Sequence, residues 1–478
     1  MTWSLGCALL ASSAGALAAP QAGPGAAASP QPAAEPAAAA SPAAPSAAPA
    51  AAAPPASPEG SPKRALPDYD GREEETTAGD VLLWVPRVAL YPAYLASEYL
   101  VRRPIGAFTV AFEQADMIAE LKDIFTFGPN HSIGVIPTAL IDFGFTASVG
   151  VYSFYDDLGM PGNDLRIHAA TGGSDWLRLT LANRIPVSDS AYVKLRSEGW
   201  SRPDWLFAGI GARTLESASA RYQASSVDAS VTLHLDLSEG NTLDASMGAK
   251  SSRFGDTCCE DPTVPAMVRI GRYPTPPGFD TGYTSYRQRI ELGLDSRDPP
   301  PAPGSGVRLE LAAEHDIDLE RPEEGRWVRY GGAVGGFLDL TGQNRVVGLS
   351  IAAEFADPLG DDEIPFTELA MLGGDRPMRG FREGRLRGRS AIAATLEYRY
   401  PIWAFLDGST QVAVGNVFDE HLRDFDVDLL RFSFVFGVRT TGSRDHSFDI
   451  LLGSATETFE QGAALQDIRL LFGATRGF

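Results

Sequence analysis

Arg376, Arg379, Arg382, Arg385, Arg387 and Arg389 all fall within one stretch, MLGGDRPMRGFREGRLRGRS, residues 371–390. Guanidinium groups bind carboxylates or phosphates through a planar, permanently charged fork. The same stretch is crowded with glycine, so it reads as a long loop and not as a buried strand or helix. In a chain of formal net charge -21, the anions these arginines meet are side chains of the protein itself. The acidic balance also argues against nucleic acid as a partner, because binding phosphates needs a basic face. Other chemistry is thin. There is no Gly-x-Ser-x-Gly elbow and no phosphate loop, and His131, His168, His234, His315, His421 and His446 lack metal-ligand spacing. We expect no enzyme activity, no cofactor and no metal. Cys258 and Cys259, in GDTCCEDP, read as a vicinal disulfide in an oxidising compartment, with pairing to a partner as the alternative.

The elements that carry this loop announce themselves by period. From about residue 131 to the C-terminus, apolar residues alternate with polar ones. In LLRFSFVFGVR, Leu430, Phe432, Phe434, Phe436 and Val438 share one face and Arg431, Ser433, Val435, Gly437 and Arg439 the other. SYRQRIELGLD sets Tyr286, Ile290, Leu292 and Leu294 against Arg287, Arg289, Glu291 and Asp295. Soluble sandwiches alternate as well. Hairpin order with short turns between longer loops, and a last strand with Ile468, Leu470, Phe472, Ala474 and Phe478 on one face, favour an outer-membrane barrel. The expected fold is all-β, a transmembrane antiparallel β-barrel of about sixteen strands, an even number as closure requires. Two of its strands are placed at 190–200 and 217–236.

Ahead of the barrel, residues 1–19 end SLGCALLASSAGALAA and suit a signal peptide cleaved after Ala16-Leu17-Ala18. Residues 20–78 are Ala/Pro/Ser-rich and read as a disordered linker. Residues 79–130 carry apolar residues at helical spacing, with Pro86 and Pro92 as kinks. They read as an amphipathic helical segment at the membrane surface or over the barrel mouth. The barrel then spans 131–478, in the bacterial outer membrane.

Several motifs recur in a recognisable order. LGGDRPMRGFREG, with the core Met378-Arg379-Gly380-Phe381, resembles the sixth-loop motif of the outer-membrane assembly and secretion barrels. This is the BamA/TamA and two-partner-transporter superfamily, also described as bacterial surface antigen domains. LDSRDPPPAPGSGVRLEL resembles that family's turn between strands eight and nine, in Asp295, Ser296, Arg297, Asp298 and Gly306. TLEYRYPIW and VGNVFD resemble its twelfth and thirteenth strands, and LFAGIG (206–211) a segment of its N-terminal half.

The resemblance implies that the sixth loop folds back into the lumen, where its arginine pairs with acids on the inner wall. Glu397, inward on SAIAATLEYRYPIW, is the first partner expected for Arg379. The family's aspartate, two residues before the glycine of strand thirteen, is replaced here by Ala413, and Asp449, inward on HSFDILLG, is the substitute. By the same resemblance the barrel inserts or translocates proteins through a seam between its first and last strands. Outer-membrane lipid would surround it, and unfolded or exported proteins, or a periplasmic partner, would engage it. Pro137 on the first strand and Gly473, Gly477 and Arg476 on the last predict a poorly paired seam. Family members carry periplasmic POTRA modules, and residues 20–130 lack the strand-helix alternation of one. A non-catalytic surface-antigen barrel, structural or partner-binding, and a narrow channel therefore stay open as alternatives.

Overall fold

The computed structural model describes residues 123–257, 262–298, 303–403, 406–440 and 446–477. The expected signal peptide, the linker, most of the helical segment, Cys258, Cys259 and Phe478 lie outside the described residues. Period-two alternation becomes sixteen long strands: β1 (Ile133–Asp142), β2 (Ser148–Tyr155), β3 (Asp164–Gly173), β4 (Trp176–Ser188), β5 (Ala191–Phe207), β6 (Ala220–Ser238), β7 (Asn241–Gly255), β8 (Tyr283–Asp295), β9 (Gly306–Asp318), β10 (Arg326–Asp339), β11 (Val346–Pro358), β12 (Ser390–Trp403), β13 (Leu406–Phe418), β14 (Arg431–Thr440), β15 (His446–Thr456) and β16 (Leu465–Gly477). Each pairs antiparallel with its sequence neighbour, and β16 returns to β1, so the sheet closes on itself. Closure removes the fully open edge that a membrane-spanning sheet cannot carry, although the β16–β1 junction itself is short. Among the described residues no helix is long and apolar enough to cross a membrane.

The pleat sorts the side chains as the alternation requires. On β14, Phe432 and Phe434 are 44% and 50% exposed, while Arg431, Ser433 and Val435 are buried on the inner side. Leu177, Leu179, Val227, Ile290 and Leu349 likewise face outward. Bare in water, each such side chain would forgo about 1.5–3 kcal/mol of burial, so these rings of apolar residues belong in lipid.

One strand boundary differs from expectation. Strand β5 does not stop at residue 200: after a register shift between Arg202 and Trp205 it goes on pairing, Trp205 with Tyr222 and Phe207 with Ala220. Pro203 lies inside the shift, where a residue without an N–H fits a bulge. At the described end of the 79–130 segment, residues 123–125 are helical, Thr126–Phe127 pair with Gly134 and Ile133 of β1, and Pro129–His131 form a 3-10 turn.

Long connections gather at one end of the barrel. The β7–β8 connection holds a short helix, α1 (Val264–Arg269), capped by the Thr263 hydroxyl, which accepts from the Ala266 N–H at 3.3 Å. The β11–β12 connection, called L6 here (359–389), holds a 3-10 turn at Phe366–Glu368 and a two-stranded ribbon, Ala370–Leu372 with Leu386–Gly388. Ile364, Phe366 and Leu369 of L6 share one core with Val264 and Met267 of α1 and with Phe207, Tyr222, Tyr283 and Trp327 of the wall.

Candidate functional site: the lumenal loop

The start of L6 is anchored by aromatic packing. The Phe366 ring meets Phe207 and Tyr222 edge-on, with centroids 5.4 and 5.3 Å apart. Two residues on, Glu368 is carried into the lumen with 2% of its surface exposed. Its carboxylate takes Lys250 Nζ at 2.6 Å and Arg329 Nη2 at 3.3 Å, and accepts from the Tyr283 hydroxyl. Burial works against the charge of Glu368, but Lys250 and Arg329 outweigh it and hold the carboxyl well below the usual range. Arg329 in turn grips Glu314, which also takes Arg289 at 3.1 Å. Glu368 escaped the sequence reading because nothing local in PFTELAML signals a lumenal acid.

The tip is built around Met378-Arg379-Gly380-Phe381. Met378 and Phe381 are buried in a cluster with Leu372, Leu386, Ala393, Ala413, Val417 and Ala455. Ala413, where the family pattern has an aspartate, thus gives the tip an apolar seat. Gly380 comes so close to β15 that a Cβ would lie 2.3 Å from the Ser454 carbonyl oxygen, and its N–H donates to Ser433 Oγ at 2.8 Å. Only glycine fits this approach.

The loop arginines find anions or carbonyls around the wall. Arg376 meets Glu354 at 3.0 Å, and Arg389 meets Glu420 at 2.7 Å and Asp357 at 3.2 Å. Arg385 donates to Thr214 Oγ1 at 3.0 Å, and Arg387 to the Phe366 carbonyl at 3.1 Å. Arg379 Nη2 lies 3.0 Å from Asp449 Oδ2, and Asp449 also takes the fork of Arg439 at 2.8 and 2.9 Å. Glu397 is not the contact of Arg379. Its carboxylate takes Arg399 at 3.4 Å and Gln411 at 3.2 Å. Both acids line the wall, but the seat over Ala413 turns the guanidinium to β15, away from β12.

Other expected residues fall elsewhere. In the β8–β9 turn, Arg297 makes a bidentate pair with Asp295, at 2.9 and 2.7 Å, and lies over the Phe337 ring; Gly306 at φ 149 passes against the Arg297 backbone, and Asp298 is exposed. This turn is a clasp far along the chain from the L6 tip. Phe472 faces outward on β16, 44% exposed, with Leu470 half-buried. Among the described residues no group of His, Cys, Asp or Glu could hold a metal.

The seam between β16 and β1 is short. Three register pairs join them, Leu471 with Asp142, Phe472 with Ile141 and Gly473 with Leu140, and Phe143 N–H donates to the Leu470 carbonyl at 2.9 Å. Strands β14 and β15, by comparison, pair over the seven positions from Ser433 to Arg439. On the lumen side of the seam Arg469 is 2% exposed; alternation with Ile468 and Leu470 puts it on the inner face, but no sequence signal marked its partners. Its Nε and Nη2 hold Asp142 at 3.2 and 2.8 Å, and its Nη1 donates to the carbonyls of Gly374 and Arg379 at 2.8 and 2.9 Å.

A closed sixteen-stranded barrel with a charged loop seated in its lumen defines an outer-membrane β-barrel protein. Residues 206–438, just under half of the chain, match the Omp85 superfamily domain. No curated protein matches it in sequence. Among solved structures it is similar to BamA from Haemophilus ducreyi lacking POTRA domains 1-3, at 16% identity and a TM-score of 0.51, over 72% of this chain and 70% of that one. CdiB from Escherichia coli matches at 11% identity and a TM-score of 0.48, over 73% of this chain and 63% of that one. CdiB from Acinetobacter baumannii matches at 11% and 0.45, over 73% and 60%. The chain therefore spans less than two thirds of either CdiB.

Proposed function

We propose that this barrel inserts or translocates proteins through the β1–β16 seam, without catalysis, its substrates being unfolded or exported chains. The observation that carries this reading is the three-pair junction, the weakest contact between neighbouring strands. Backbone groups left unpaired there are a template on which an incoming strand could add. Pro137, in the part of β1 below the paired residues, has no N–H to offer and keeps that stretch from zipping. L6, filling the lumen and touching both seam strands through Arg469, is the element suited to set the resting state.

The test is a lock. Ile141→Cys with Phe472→Cys places cysteines on paired, outward positions, in a background with Cys7, Cys258 and Cys259 replaced by serine. The oxidised barrel is expected to fold, shown by a gel mobility that changes on boiling, and to lose any assembly or secretion phenotype the gene supports. Reduction should restore it. Full complementation by the locked protein would make seam opening irrelevant and give first place to a structural or partner-binding role. A passive channel ranks below both, because the L6 tip occupies the lumen and the L6–α1 core sits at the loop end.

A further inference from the structure

We propose that Arg469 is a positioning residue that couples the seating of L6 to the closure of the seam, so that the loop cannot leave the lumen without weakening the β1–β16 junction. The inference rests on the seam reading and concerns its regulation. One guanidinium makes contacts to three elements. It is anchored on β16, it forks onto the Asp142 carboxylate of β1 at 2.8 and 3.2 Å, and its remaining nitrogen donates to the Gly374 and Arg379 carbonyls of L6. Its side chain is 3% exposed and that of Asp142 13%, so water is a poor replacement for either partner. A planar fork has fixed donor directions. Turning it to keep Asp142 as β1 moves away breaks its bonds to the loop, and withdrawing the loop strips two acceptors from a buried cation. The carbonyl of Arg379 belongs to the residue whose side chain pairs with Asp449 on β15. The position of the loop tip is thereby transmitted to the seam.

Two states sharing one contact make a coupling that can be measured. The probe is the rate of disulfide formation between Ile141→Cys and Phe472→Cys in the serine background, with trypsin cleavage of L6 as a second readout. Arg379→Ala, which frees the loop, should slow closure of the disulfide by about fivefold or more. In an Arg469→Ala protein closure should already be slow, and adding Arg379→Ala should change nothing further. Arg469→Lys serves if the alanine variant fails to fold: it keeps a positive charge for Asp142 but loses the fork, and should give the same loss of coupling. Asp142→Asn should raise trypsin cleavage within L6, an effect transmitted from seam to loop. An equal effect of Arg379→Ala with and without Arg469 would overturn the proposal. These readouts need no secretion or assembly phenotype, so coupling that persists in a barrel whose lock leaves function intact would separate this inference from the function proposed above.

Discussion

Arg379 and Asp449 meet at 3.0 Å inside the barrel, and Asp449 lies on β15, two strands beyond the one that carries Ala413. One carboxylate thereby serves two guanidiniums, Arg379 from the loop and Arg439 from the wall. Asp449→Ala leaves the largely buried Arg379 without its carboxylate, whereas water can replace it at the half-exposed Arg439, and an unpaired buried charge costs about 3–5 kcal/mol. We expect a matching loss of barrel stability, read as a lower urea midpoint for the heat-modifiable band. Arg379→Ala with Asp449→Ala should cost less than the sum of the two single changes. Glu397→Ala, by contrast, should cost about 1 kcal/mol or less, since its partner Arg399 is partly exposed and the pair is solvated. Equal losses from Glu397→Ala and Asp449→Ala would reverse the assignment.

Glu368 gives a pH dependence with a defined sign. Its carboxyl is held below its unfolded value, so its stabilising contribution is present above the unfolded pKa of about 4.3 and is lost as pH falls through the folded value. L6 should resist proteolysis unchanged from neutral pH down to about 5 and become open to pepsin, which is active there, in stronger acid. Glu368→Gln should abolish this acid transition and lower stability at neutral pH by about 1–3 kcal/mol, because Lys250 loses its carboxylate while Arg329 keeps Glu314. An unshifted acid transition in Glu368→Gln would assign the sensitivity to another group.

Gly380 offers a purely steric test. Its backbone faces a carbonyl oxygen that cannot give way like a side chain, so Gly380→Ala must lift the tip off β15. Overpacking of this kind costs about 1–3 kcal/mol. The Ser433 hydrogen bond and the Met378–Phe381 seat should be lost together, and protease cleavage within L6 should rise. Ser433→Ala, which removes the hydrogen bond alone, should have a smaller effect of about 1 kcal/mol.

Strands were legible because the pleat converts environment into parity: Phe432 and Phe434 had to face lipid once Arg431 and Ser433 faced inward. Parity, however, places a residue on a face and not at a height. Glu397 and Asp449 were both inward by parity, and choosing between them required the register around the barrel and the apolar seat over Ala413. The Arg469–Asp142 pair joins residues 327 positions apart, and only barrel closure brings them together. Glu368 sits in a loop without period, so its burial followed from the packing of Phe366 and from no pattern in the sequence.

At the seam, Gly473 combines two demands, a positive φ and a close backbone neighbour, as Gly240, Gly282 and Gly384 do elsewhere. Its φ of +136 lies where side chains are strained, and a Cβ there would come within 2.1 Å of the Ala139 carbonyl oxygen and 2.8 Å of the Leu140 Cα. Both obstacles are backbone atoms of β1, the partner strand. Gly473→Ala should therefore separate the strands at one of only three pairs while leaving the Arg469–Asp142 bridge, two pairs nearer the loops, in place. Gly462 is the control: its φ is +76 but nothing lies within 4 Å, so Gly462→Ala carries backbone strain of about 1–2 kcal/mol and no collision with β1. Slower Ile141→Cys to Phe472→Cys disulfide formation is expected from Gly473→Ala and not from Gly462→Ala. Equal rates in both would mean that the seam is held by the Arg469 bridge and not by the close approach of the two backbones.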